Sequence, residues 1–198
     1  MRRKKVNTAD KIIGLDFGGV IANHLPVKRD LLQRLFHKQI DTDREATRAA
    51  LLSQMGQAAY ERLITELSKL ALEFPLHRGT KEALLQLSGQ GCRLVVVSTQ
   101  QVALTSDLQQ YFHQHGLPID NEDVHVVRHD KQKPDTIQRL RLPIYCDDNQ
   151  TVLRSLKALD IPLVWANFNS LPVDGSDGLY VMESWKDLVK ALPFILSD

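Results

Sequence analysis

Short, unbroken apolar runs recur along this chain, each followed by a stretch of helical periodicity. This alternation constrains the fold more than any other feature. The runs are Lys11 to Leu15, Cys92 to Val97, Val124 to Val127, Pro143 to Cys146 and Pro162 to Ala166, with Leu179 to Met182 as a sixth at an edge. Continuous rather than alternating apolarity marks strands covered on both faces, as in a parallel sheet. Helical patterns separate the runs: Thr80 to Leu87, Val102 to His115, Pro134 to Leu140, Thr151 to Leu159 and Ser184 to Leu192. Gly116-Leu117-Pro118 stops the second, and Pro134 opens the third at a favourable first-turn position. The expected fold class is α/β, a doubly wound parallel sheet.

Residues 24–77 break this rhythm and carry no strand pattern. Leu31, Leu32, Leu35 and Phe36 form one helical stripe, and Tyr60, Ile64 and Leu67, with Leu63 and Leu70 beside them, form another. Thr42-x-x-Glu45 has the form of a capping box for a helix between them. A connection of about 50 residues is far longer than an ordinary strand-to-helix crossover. We expect a core of residues 1–23 and 78–198, with a small helical cap at 24–77 inserted after the first strand.

Composition narrows the function. The formal net charge is +1 over 198 residues, which argues against a general nucleic-acid binder. The basic start, Met1-Arg2-Arg3-Lys4-Lys5, reads as a solvated arm. No apolar run reaches the roughly 18 residues of a membrane span. Asp16 and three glycines interrupt Ile12 to Ala22, so that run is not read as a signal peptide. Cys92 and Cys146 lack metal-type spacing and lie in runs read as buried strands; reduced thiols of a cytoplasmic protein are expected. Neither nucleic acid nor membrane is an expected partner. Oligomeric state stays open, with the apolar cap as a candidate homodimer surface.

Polar groups gather at the carboxyl ends of the runs, where ligands bind in open α/β sheets. Asp16 ends the first and is followed by Phe17-Gly18-Gly19, a segment able to bring backbone N–H groups to an anion. Ser98 and Thr99 end the second run and offer hydroxyls to phosphate oxygens. Lys133-Pro134 opens the helix after the third. Asp147-Asp148 follows the fourth and offers oxygen ligands to a hard cation such as Mg²⁺.

This ordered set resembles the haloacid dehalogenase (HAD) superfamily of phosphatases over nearly the whole chain. The resemblance implies Asp16 as nucleophile, Ser98 as the second-motif hydroxyl with Thr99 beside it, and Lys133 as the basic third-motif residue, with Lys131 the weaker candidate. It implies a Mg²⁺ site of Asp16, the carbonyl of Gly18, Asp147 and Asp148. Gly19, Thr99 and His24 are the further substrate-side candidates. Eighty-two residues between Asp16 and Ser98 leave room for a cap, and 35 between Ser98 and Lys133 do not. The implied activity is hydrolysis of a small phosphorylated metabolite through an aspartyl-phosphate.

The chain departs from the family signature Asp-x-Asp-Gly at Gly18. The missing carboxylate normally protonates the leaving group and activates water, help that amounts to ~10²–10⁴ in rate. Asp16-Phe17-Gly18-Gly19-Val20, with the later Asp147-Asp148-Asn149, resembles a branch that includes sugar-1-phosphate phosphatases. A sugar phosphate is therefore the first expected substrate and a nucleotide the second. His24 is a candidate proton source. Thr151 stands where many relatives carry another Asp, so a silent relative that binds a phosphorylated ligand or a protein is the alternative. For Schiff-base chemistry nothing singles out Lys28, Lys38 or Lys69.

Overall fold

The computed structural model describes residues 11–42, 44–99, 103–171 and 178–195. Six parallel strands form one sheet: β1 (Ile12–Leu15), β2 (Arg93–Thr99), β3 (Val124–Val127), β4 (Tyr145–Asp147), β5 (Leu163–Ala166) and β6 (Tyr180–Met182). Their order is β3-β2-β1-β4-β5-β6, so successive strands are added to one side of β1 and then to the other, and the order reverses between β1 and its neighbours β2 and β4. Ligand crevices form at such switch points. Each of the six apolar runs of the sequence falls on one of these strands, with the third and the sixth at the two edges of the sheet and the second strand running on to Thr99. The fourth begins at Tyr145, past Pro143, which has no N–H to give to the ladder, and it extends to Asp147. Cys92 lies just before β2 and is half-buried, whereas Cys146 is buried within β4.

Helices cover both faces of the sheet. On one side Leu15, Val96, Cys146 and Val164 join the larger apolar cluster with residues of the helices at 80–89, 105–115 and 185–195. On the other, Val95, Val97, Tyr145 and Trp165 pack with Ile137, Val152 and Leu153. The two-sided burial explains the continuous apolar runs. No helix among the described residues is long and apolar enough to cross a membrane.

Between β1 and the helix at Thr80–Gly89 lie α1 (Leu25–Phe36), α2 (Arg48–Lys69) and a 3-10 turn at Ala71–Glu73. α2 kinks at Gly56, whose φ of 77° and ψ of 170° are not helical. Glu45 does cap backward, accepting from the N–H of Asp41 at 2.9 Å. Residues 44–46, however, form a turn rather than a helix. α2 starts at Arg48, where the Thr47 hydroxyl accepts from the N–H of Ala50. The remaining helices are α3 (Thr80–Gly89), α4 (Thr105–His115), α5 (Lys133–Arg139), α6 (Gln150–Ser155) and α7 (Trp185–Ile195). Val102, expected to begin α4, and the basic start at 1–5 lie outside the described residues.

Candidate active site

Asp16 follows β1 and is 6% exposed. Its N–H donates to the carbonyl of Cys146 at 2.8 Å, which sets it beside Asp147 at the end of β4. A tight turn comes next. The Phe17 carbonyl accepts from the N–H groups of Ile21 and Ala22, both at 3.0 Å, and the Gly19 N–H donates to the carbonyl of Ala22 at 2.8 Å. Phe17 plugs the turn into the core edge-on to Tyr111 and Phe112. Beyond it, the N–H of Asn23 donates to the Pro75 carbonyl and that of His77 to the Ile21 carbonyl. The chain thus enters and leaves the inserted helices along one short ladder.

Gly19 has φ +83°, and a Cβ there would lie 2.1 Å from Oδ2 of Asp148. The Asp148 carboxylate therefore lies over the turn. Asp16, Asp147 and Asp148 each offer an oxygen, all within 4.8 Å of one another. Lys133, buried at the start of α5, stands between two of them. Its Nζ is 2.7 Å from Asp147 Oδ2 and 3.2 Å from Asp16 Oδ1. Asp147 Oδ1 accepts from the N–H of Asn149 at 2.8 Å. Lys131 is exposed, so Lys133 is the ammonium that reaches the acids.

Burial pushes Asp16 up to about 7, with Lys133 opposing and Asp147 adding to it. Burial, then Asp147 and Asp16, hold Asp148 well above the usual carboxylate range. Burial opposes the charge of Lys133, but Asp147 and Asp16 outweigh it and raise its proton affinity. Lys133 contacts two of the three carboxyls, and crowding among the acids adds to burial in raising Asp16 and Asp148, a repulsion that a divalent cation would relieve. Hard oxygen donors in such a cluster fit a hard divalent cation, with Asp16, Asp147 and Asp148 as the residues that would hold it.

Ser98 and Thr99, at the end of β2, are both buried. Ser98 Oγ has no hydrogen-bond partner among the described residues. Gly18 sits in the turn and pairs with Ala22. His24 precedes α1, and its Nδ1 is buried with no partner among the described residues. Burial, with Lys28 and His77 nearby, holds its imidazole well below the ordinary range, and His77 is drawn down to about 4 by burial.

Two residues of the inserted helices that the sequence did not single out for the site, Lys28 and Tyr60, lie near enough to feel the charge of Asp148. Lys28 of α1 and Asp148 each act on the other's charge, and burial lowers Lys28 to about 8. Arg48 of α2 lies 3.9 Å from Asp130 and over the ring of Tyr60. Lys28 stands in the stripe of Leu31, Leu32 and Leu35, at i, i+3, i+4 and i+7. That spacing was the available sign that its stem is buried.

No family model matches the chain, and no curated protein matches it. Solved structures do. A HAD family hydrolase from Deinococcus radiodurans R1, with bound phosphate and sodium, aligns at TM-score 0.61 and 16% identity over 96% of this chain and 97% of its own. A predicted phosphatase from Clostridium acetobutylicum aligns at 0.65 and 13%, over 93% and 98%. The HAD hydrolase YfnB from Bacillus subtilis, bound to magnesium, aligns at 0.63 and 13%, over 92% and 98%. At such identities the likeness is one of architecture, and the architecture of this chain is the HAD-like α/β fold.

Proposed function

We propose that the chain is a divalent-metal-dependent phosphatase of small phosphorylated metabolites, with sugar phosphates first and nucleotides second. The observation that carries this reading is the cluster of Asp16 and Asp147, both buried, and the half-buried Asp148, with Lys133, at the switch point of the sheet. The similarity to structures described as HAD hydrolases and as a phosphatase supports it.

In this reading Asp16 attacks phosphorus and takes the phosphoryl group as an acyl phosphate. A bound Mg²⁺ would supply relief of the repulsion between the carboxylate and the phosphoryl oxygens. Lys133 orients Asp16 and draws on the same oxygens. The unpartnered Ser98 hydroxyl donates to one of them, and the Gly19 turn and Thr99 border the pocket. Catalysis then rests on positioning and electrostatics. The helices of residues 24–77 act as the cap that selects substrate and excludes water.

Gly18 favours a second reading, a silent relative that binds a phosphorylated ligand without consuming it. Phosphate release from sugar phosphates, nucleotides and p-nitrophenyl phosphate, with Mg²⁺ or with EDTA, separates the two. The proposal expects release that EDTA stops. A folded protein that binds Mg²⁺ and hydrolyses nothing on the panel would transfer the assignment to the silent relative.

A further inference from the structure

Tyr145 is fully buried in β4, two residues before Asp147 and opposite Gly14 of β1. A Cβ at Gly14 would stand 2.8 Å from Cδ2 of the Tyr145 ring and 2.6 Å from Cδ1 of Leu142. Only a bare glycine lets the ring lie this close against β1. β1 runs between β4 and β2, so a β4 side chain that spans β1 arrives at β2. The Tyr145 hydroxyl does so and donates to the carbonyl of Val97 at 2.8 Å. The pairing of β1 with β2 ends one residue earlier, at Leu15 opposite Val96. The hydroxyl therefore takes hold of β2 just past that ladder and just before Ser98. A buried hydroxyl needs a partner wherever it lies. What sets this one apart is the peptide it holds. The Val97 carbonyl and the Ser98 N–H share one plane, so holding the first steadies the point from which the Ser98 side chain leaves the strand. That side chain carries the buried Oγ with no partner among the described residues. The Lys133 Nζ stands over the same ring, 5.7 Å from its centroid, within range of a cation–π attraction.

We propose that Tyr145 is a positioning residue of the phosphoryl pocket. Its hydroxyl sets Ser98 and its ring carries Lys133, so that a hydroxyl from β2 and an ammonium from α5 meet one phosphoryl group from fixed places. The inference rests on the reading in which Ser98 and Lys133 hold that group. Tyr145 touches no substrate and acts through those two residues. Gly14 belongs to the same device, because a side chain there would displace the ring.

The test is a double-mutant cycle on the full chain: wild type, Tyr145→Phe, Ser98→Ala and the pair, read by calorimetric binding of inorganic phosphate with Mg²⁺. Tyr145→Phe keeps the ring beside Lys133 and removes only the hydroxyl. A hydrogen bond to a charged oxygen amounts to about 10–100-fold in binding, so Ser98→Ala should weaken phosphate by that factor and Tyr145→Phe by about tenfold. In the Ser98→Ala background the same change should cost less than about twofold, since the hydroxyl then has nothing to position. On p-nitrophenyl phosphate, Tyr145→Phe should raise KM about tenfold and leave kcat within about threefold, the mark of lost binding shared by ground and transition states. A second readout keeps the hydroxyl and so does not depend on whether Tyr145→Phe folds. With a fluorotyrosine in place of Tyr145, the fluorine NMR resonance should shift when phosphate and Mg²⁺ are added, and shift less with Ser98→Ala. Equal weakening by Tyr145→Phe in both backgrounds, no weakening in either, or an unmoved fluorine resonance would overturn the role of Tyr145 and leave the phosphatase reading in place. The cycle reads binding alone, so it stands whether or not the ester is hydrolysed. Failure of phosphate to bind wild type would remove the pocket and the positioning role with it.

Discussion

The ammonium of Lys133 is held in a buried space by two carboxylates, Asp16 and Asp147. Taking those charges out of water is costly, and their mutual attraction offsets the cost only while all partners are present. Lys133→Met keeps much of the volume but strands the two acids. We predict a loss of about 3–5 kcal/mol in urea unfolding of the metal-free protein, together with loss of phosphate release. At this scale the sequence was most informative where chemistry sits at a strand end. Asp16, Ser98, Lys133 and Asp147 all lie at predictable places because a parallel sheet brings its carboxyl ends together. Lys28 was visible only as one lysine among several. The spacing along α1 marks its stem as buried, but its nearness to the charge of Asp148 depends on how α1 packs, and no local pattern encodes an approach between residues so far apart in the chain.

Element boundaries moved where capping chemistry had two solutions. Thr42 and Glu45 have the capping-box spacing, yet Glu45 serves the N–H groups of Asp41 and Thr42 around a turn. The hydroxyl that starts α2 belongs to Thr47. Thr47→Ala should therefore cost about 1 kcal/mol in urea unfolding, whereas Thr42→Ala, at a position that starts no helix, should cost markedly less. Equal costs would show that the box, and not Thr47, starts the helix. The Gly56 kink was not legible either. Glycine within a helical pattern is often simply tolerated, and only its positive φ makes it a break. The strands were legible almost to their ends, since burial on both faces writes itself as uninterrupted apolar sequence.

The whole molecule should carry the imprint of its acid cluster in its pH dependence. Asp16 is raised from 3.8 to about 7 in the folded state, and Asp148 is raised as well. A carboxyl of raised proton affinity holds its proton in the native state where the unfolded chain has released it. Its contribution to stability is present at low pH and is lost as pH rises from about 4 through about 7. His77, drawn from 6.5 down to about 4, works in the opposite sense over much of that range. The cation-dependent difference isolates the acids, because a divalent ion replaces protons on carboxylates and leaves the histidine alone. Mg²⁺ should raise the melting temperature over an EDTA control more at pH 8 than at pH 5. An equal rise at both would place the ion elsewhere. The most direct measurement of the central claim is rapid acid quench of the protein mixed with Mg²⁺ and a phosphate ester, followed by peptide mass spectrometry. The account predicts a phosphoryl group on the peptide carrying Asp16, formed at the rate of turnover and absent from Asp16→Asn, which releases no phosphate. Turnover by Asp16→Asn, or a phosphoryl group on another residue, would contradict it.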